Sequence, residues 1–336
     1  MTNNKPTGSA SGFHLEKVFV VIVNWNGKEF LKKCLTTVLL NTVYPEYQVV
    51  VVDNGSVDGS VEMVKKEFST VNLIENSENL GFSKANNQGI KHALFHGAKY
   101  VLLLNSDVEI AEKEWLENMV NLSASDSTIG IVGCKLVYPN GLIQHAGGVV
   151  NLEGAYNRGD GEKDKKQYEK VELVDFVTGA AFLIKTEVIN RIGLLDEGFS
   201  PVYFEDVDWC LRARFDGYKV VYSPKPVLVH RCGSASKTLG QAKIDSYVRQ
   251  NWIRFFLLNF KFTDLVKRML KFEVWQIIRT IVSFSSNGKV LLKINSDGAK
   301  SLMLIEKAWV PNIRDFKNIM AKRSQRFAAQ NAVKLP

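Results

Sequence analysis

VFVVIVNWNGKEFLKKCLTTVLL (Val18–Leu40) is the stretch that decides the fold. Val18–Val23 shows no alternation of apolar and polar residues; its unbroken β-branched and aromatic run fits a strand buried on both faces. A polar stop follows at Asn24-Trp25-Asn26-Gly27, and then Phe30, Leu31, Leu35, Val38 and Leu39 fall at helical spacing. The same unit recurs downstream. Gln48–Val52 reads as a strand and Asp58–Phe68 as a helix with Val61, Val64 and Phe68 on one face; Asn72–Ile74, Ser83–His96 and Tyr100–Leu104 continue as strand, helix and strand. Such alternation with short connections predicts an α/β domain with a doubly wound, mostly parallel central sheet flanked by helices. Ligands of such sheets bind beyond the carboxyl ends of the strands.

Polar residues cluster at those ends: Asn24-Trp25-Asn26, Asp53-Asn54-Gly55-Ser56 and Asn105-Ser106-Asp107. A carboxylate at the tip of a buried strand suits a hard divalent cation, with a diphosphate completing the coordination. Asp107 is placed for that task, and equally for capping a helix that starts near Ala111. Asp53 is placed to accept hydrogen bonds from a base or ribose. Further on, Ile129–Val132, Phe176–Ile184 and Val227–Val229 read as strands, Glu162–Lys170 as a charged, mobile loop and Glu205–Phe215 as a helix. That helix opens with Glu205-Asp206-Val207-Asp208. Acidic residues in a first turn oppose the helix dipole favourably, and crowded carboxylates also raise one another's pKa, which suits a general base. Both roles stay open, as do a structural and a ligand role for His230.

Other classes are excluded. No GxGxxG, GxxxxGK[ST] or GxSxG occurs, so the front half binds its ligand without a dinucleotide fingerprint, a P-loop or a nucleophile elbow. Cys34, Cys134, Cys210 and Cys232 include no CxxC pair, which points to reduced thiols rather than zinc or disulfides. Met1–Gly12 lacks signal-peptide character, and no apolar run reaches the ~18 residues that a membrane span needs; a cytoplasmic protein is expected. From Asp245 onward there are 17 Lys/Arg against 6 Asp/Glu, so the preceding residues are mildly acidic although the whole chain carries +8. An acidic body argues against nucleic acid as a partner. Within the basic tail, Tyr247–Phe260 and Lys267–Arg279 are amphipathic, with Trp252, Phe255, Phe256 and Trp275 beside arginines. Such helices lie on anionic membranes or pack on a core.

Eight motifs in order carry a family resemblance: VVIVNWNG (Val20–Gly27), VVDNGSVDGS (Val51–Ser60), NLGFSKANNQGI (Asn79–Ile90), LLLNSDVEI (Leu102–Ile110), FVTGAAFLIK (Phe176–Lys185), GLLDEGF (Gly193–Phe199), YFEDVDWCLRARFDGY (Tyr203–Tyr218) and VLVHRCGSAS (Val227–Ser236). Together they resemble family 2 glycosyltransferases of the GT-A fold, nearest the rhamnosyltransferase-like bacterial branch. The resemblance spans about residues 17–240. It implies a flexible terminus at 1–16 and a catalytic domain at 17–244, with a nucleotide-binding half (17–110) and an acceptor half (111–244). A basic helical extension, 245–336, follows.

The resemblance also implies an inverting, metal-dependent sugar transfer in polysaccharide synthesis. The donor would be a dTDP- or UDP-sugar, rhamnose first, and the acceptor a hydroxyl of a glycan or lipid-linked glycan. Mg2+ or Mn2+ would be held by Asp107, with His230 as a further ligand, and Asn105 stands where the metal motif usually has its first aspartate. Asn24, Asn26, Asp53, Asn54, Gly81, Asn86, Asn105 and Ser106 would bind the donor. Asp206 would be the catalytic base, with Thr178, Gly179, Ala180, Glu205 and Asp208 around the sugar and acceptor. The tail would meet the inner face of the plasma membrane or a second copy of the chain. Two alternatives remain: a sugar-nucleotide-binding scaffold without turnover, which Asn105 favours, and a nucleotidyltransferase, which the single glycine of NWNGKEF disfavours.

Overall fold

The computed structural model describes residues 16–232, 240–268, 282–284, 290–292 and 306–332. Strands β1 (Val18–Asn24), β2 (Tyr47–Asp53), β3 (Asn72–Glu75) and β4 (Tyr100–Asn105) lie parallel in the order β3-β2-β1-β4. Helices α1 (Lys28–Leu40), α2 (Ser60–Glu67) and α3 (Phe82–Phe95) make the crossovers. The register sets Asn24 opposite Asp53 and Val23 opposite Asn105, so the three polar strand ends finish at one level. Phe19 and Val21 enter one core cluster and Val18, Val20 and Ile22 the other, as expected for a strand covered on both faces.

Beyond β4 the sheet turns mixed. β5 (Val108–Glu109) follows at once, then α4 (Trp115–Ala124), β6 (Ile129–Val137), β7 (Ile143–His145) and the hairpin of β8 (Gly148–Val150) and β9 (Ala155–Asn157). β10 (Glu172–Leu173), β11 (Ala181–Lys185), α5 (Thr186–Ile192), α6 (Glu205–Phe215) and β12 (Lys219–His230) complete it. β11 runs antiparallel between β4 and β6, and β12 runs parallel to β6. β5 folds back onto the end of β12, pairing Val108 with His230.

Three expectations change. Ala181–Lys185 alone is a strand in the span expected from Phe176 to Ile184, because the chain turns at Thr178–Gly179 to give a backbone N–H to Asp206. The 162–170 loop, expected to be mobile, is tied down: Asp164 and Glu169 reach the buried Lys135 ammonium at 2.9 and 2.5 Å. The aromatic face of the tail, left open between a membrane surface and packing on a core, goes to the core. α7 (Gln241–Asn259) runs across the anticipated boundary at 244/245, and it buries Trp252, Ile253, Phe255, Phe256, Leu257 and Leu258. α8 (Phe262–Arg268) follows, and α9 (Phe316–Ala332) packs back on α7. Most of Lys267–Arg279, including Trp275, lies outside the described residues. Among those described, no helix is long and apolar enough to cross a membrane.

The seat of α3 on the sheet is close. A Cβ at Gly89 would stand 2.3 Å from Val21 Cγ1 and 3.3 Å from Val52 Cγ2. Gly89→Ala is therefore expected to destabilise by about 1–3 kcal/mol despite alanine's better helix propensity. Urea denaturation checks this: a higher midpoint in the variant would refute the close packing.

Candidate active site

At the carboxyl ends of β1, β2 and β4 the side chains lock the loops together. Asp53 accepts from Asn24 Nδ2 (2.9 Å) through one oxygen and from the Ser56 N–H (2.8 Å) through the other. Asn26, at φ 51°, accepts from the Val57 N–H through Oδ1, while its own N–H donates to Ser56 Oγ, each at 2.8 Å. Asn24 Oδ1 is buried without a hydrogen-bond partner. Asn54 donates to Asn79 Oδ1 at 2.8 Å and accepts from the Leu80 N–H at 3.0 Å, which fixes the turn carrying Gly81. These polar groups hold a cleft floor in shape.

The cleft, about 530 Å³, brings together Asn54, Gly81, Asn105, Ser106, Asp107 and His230. Asp107 does not cap a helix near Ala111: β5 comes next, and the following helix starts at Trp115. The β5–β12 pairing instead delivers His230, whose Nε2 lies 3.1 Å from Asp107 Oδ1 and 3.2 Å from Asn105 Nδ2. Its Nδ1 meets Gln144 Oε1 at 2.6 Å. Burial lowers the His230 pKa, but hydrogen bonds to Asp107 and Cys232 outweigh it and hold the imidazole at about 9. Sequence reasoning passed over Trp25, Asn79, Phe82, Tyr203 and Cys232, which also line this cleft. Their signal was membership of the quoted motifs, without a residue type that announces the role.

The ED segment sits beside the cleft. Asp206 accepts from the Gly179 N–H at 2.7 Å and from the Val207 N–H at 2.8 Å. A Cβ at Gly179 would lie 3.5 Å from the Phe82 ring and 3.6 Å from Asp206 Cβ, so the bare glycine stands between a ring that lines the cleft and the carboxylate behind it. Burial raises the Asp206 pKa against the pull of those amides. Burial first, and then the charge of Asp206, push Glu205 well above the usual carboxylate range; its Oε2 has no hydrogen-bond partner.

Other expected residues are placed elsewhere. Asp208, expected near the acceptor, is fully buried and accepts from Arg212, Arg326 and Asn259. Asn86 spends its amide on Phe82 O, one helical turn back. Thr178 and Ala180 flank Gly179, and Ala180 O accepts from the Asn105 N–H at 3.1 Å. A larger cavity, about 630 Å³, lies between α5, α6 and α9. Its charged walls are paired with one another, as in Arg191–Asp216 and Lys322–Asp196, and it lies away from the strand ends where the motif residues meet.

Known proteins match this chain as follows. The model for glycosyl transferase family 2 matches residues 19–193. The O-antigen biosynthesis protein RfbC of Myxococcus xanthus is 28% identical, over 64% of this chain and 17% of its own length. An N-acetylglucosaminyl-diphospho-decaprenol L-rhamnosyltransferase of Mycobacterium tuberculosis is 23% identical, over 63% of this chain and 75% of its own. The chain spans 24% and 17% of the first curated relatives that it matches. Among solved structures, GalNAc-T7 with UDP, GalNAc and Mn2+ shares the fold at TM-score 0.58 and 18% identity, over 73% of this chain and 48% of that one.

Proposed function

The chain belongs to glycosyl transferase family 2, and on that premise we propose that it catalyses inverting transfer of a sugar from a nucleoside diphosphate to an acceptor hydroxyl. The observation that carries this reading is the pairing of Asp107 with His230 at the strand ends, with Asp206 across Phe82 and Gly179. The donor chemistry fits once His230, held as an imidazolium beside Asp107, gives up its proton on metal binding: an oxygen and an imidazole nitrogen converge in a polar cleft, and a small divalent cation needs few protein ligands when a diphosphate and water supply the rest. Asp107 and His230 would hold Mg2+ or Mn2+, which neutralises charge on the departing diphosphate. That GalNAc-T7 was solved with UDP and Mn2+ supports a metal-assisted donor site.

Asn54, Gly81 and the Asn24–Asp53 pair shape the nucleotide side of the cleft. Asp206 takes the proton of the acceptor hydroxyl, which attacks the anomeric carbon from the face opposite the leaving group, and one displacement inverts the configuration. The glycan names of RfbC and the rhamnosyltransferase support a cell-surface glycan or lipid-linked glycan as acceptor and dTDP-rhamnose as the first donor to try, followed by UDP-sugars.

UDP or dTDP with Mn2+ is expected to raise the melting temperature of the wild type, since a ligand of the native state stabilises it. Asp107→Ala is expected to lose the metal-dependent part of that rise. An equal shift in both proteins would remove Asp107 from the diphosphate site. Asn105 favours the second reading, binding without transfer; slow hydrolysis of the donor by the wild type would exclude it.

A further inference from the structure

Tyr203 and Phe204, the two residues ahead of the ED pair, both lie in the left-handed region, at φ 80° and 74°. Aromatic side chains avoid this region, and such backbone persists only where its surroundings over-determine it. Phe204 is also the N-cap of α6, so its conformation sets where the first turn of the helix, and Asp206 within it, comes to lie.

The surroundings belong to α7. Asn251 is completely buried, and its Nδ2 donates to the carbonyl oxygens of Phe199 (2.8 Å), Val202 (2.8 Å) and Tyr203 (3.1 Å). Three carbonyls facing one side-chain atom demand a donor there, which fixes the amide's orientation. Trp252 and Phe255 place their rings 5.4 and 5.6 Å from that of Phe204. Two turns on, Asn259 Nδ2 donates to Asp208 at 2.9 Å. One helix thus grips the chain on both sides of Asp206. The gripped loop also meets the donor side: Pro201 O accepts from the Phe82 N–H at 2.8 Å, and residues 200–203 line the cleft.

We propose that Asn251 is a positioning residue for the transfer reaction, clamping the 199–203 loop so that Asp206 is aimed into the cleft beside Phe82. The proposal rests on the reading of Asp206 as the base. Asn251 touches no substrate; it acts by holding two unfavourable backbone conformations that a free loop would abandon.

The test uses the full chain and release of nucleoside diphosphate from UDP-glucose, UDP-N-acetylglucosamine and dTDP-rhamnose, with Mn2+. On whichever donor the wild type turns over, Asn251→Ala is expected to lower kcat about 100-fold, with donor KM within about threefold. Added to Asp206→Asn, it is expected to cost less than about twofold more, because a residue acting through the base has nothing left to position. Unchanged kcat, a rise in KM alone, or a full additive loss in the double variant would each overturn the proposal. Should Asn251→Ala not fold, Asn251→Ser restores a hydroxyl donor; if that variant also fails to fold, Asn251 supports the whole chain and the positioning role is wrong. Full turnover in Asp206→Asn alone would strike the base reading itself and, with it, the reason to position that residue.

Discussion

Asp206→Asn is expected to lower sugar transfer by about 10³-fold, within the range that a positioned general base contributes. The substitution is nearly isosteric, and one amide oxygen can still accept from the Gly179 N–H, so the turn at Thr178–Gly179 should survive. What is lost is a basic oxygen beside Phe82. Nucleotide binding is expected to stay near wild type, because Asn54, Gly81, Asp107 and His230 line the cleft independently of Asp206. Single-turnover transfer and a thermal-shift titration with UDP and Mn2+ separate the two effects; near-normal transfer by the variant would remove Asp206 as base.

The same carboxyl gives a pH signature. Burial raises its pKa above the ordinary value, and a general base works in its ionised form. Transfer is thus expected to rise with pH through a limb lying above the usual carboxylate range, near 4. That limb should vanish in Asp206→Asn. Glu205, pushed higher still by burial and by Asp206, favours the neutral form, so within the Glu205-Asp206 pair the negative charge rests on Asp206.

The front half of the fold was legible because its central strands β1 and β4 are covered on both faces. Val18–Val23 and Tyr100–Leu104 are apolar throughout, and a two-sided strand leaves few alternatives. The ends of those strands were legible for the same reason: a polar residue such as Asp53 or Asp107 at the end of an apolar run must sit where the sheet stops. Distance in sequence hid the rest. His230 meets Asp107 only because β5 pairs with β12, an antiparallel return two residues long that no periodicity announces. Asp208 reads like its neighbour Asp206, yet one faces Gly179 and the other the C-terminal helices; two residues along a helix turn the side chain by about half a circle. The basic tail stayed open because amphipathic arginine-rich helices look alike on a membrane and on a core. What decides is whether buried acids await the arginines, and here Asp196 and Asp208 do.

Arg326→Ala is expected to destabilise the chain by about 1.5–3 kcal/mol, the range for hydrogen bonds to a charged group, because buried Asp208 keeps only Arg212 as a cationic partner. Arg326 reaches one oxygen of Asp208 at 2.5 Å and the other at 3.2 Å, and touches Asn259 Oδ1 at 2.7 Å. Asp208 itself is inaccessible to water, so nothing in solvent replaces the guanidinium. Burial alone would raise the Asp208 pKa; Arg326 and Arg212 overcome it and hold the carboxyl at about 2. A folded pKa below the unfolded value of about 3.9 means the stabilisation is full above that value and fades as pH falls toward 2. The variant keeps Arg212 but loses the stronger of the two opposing interactions, so its Asp208 pKa rises toward the unfolded value and it loses less stability than wild type on acidification. Urea midpoints at pH 7 and at about pH 2.5 should therefore show a wide gap between wild type and variant that narrows on acidification. A loss this large takes a substantial share of a typical domain's 5–15 kcal/mol, and it would make α9 an integral brace of the catalytic helix. Equal midpoints at pH 7 would mean that Asp208 is satisfied by Arg212 and Asn259 alone, leaving α9 dispensable to the fold.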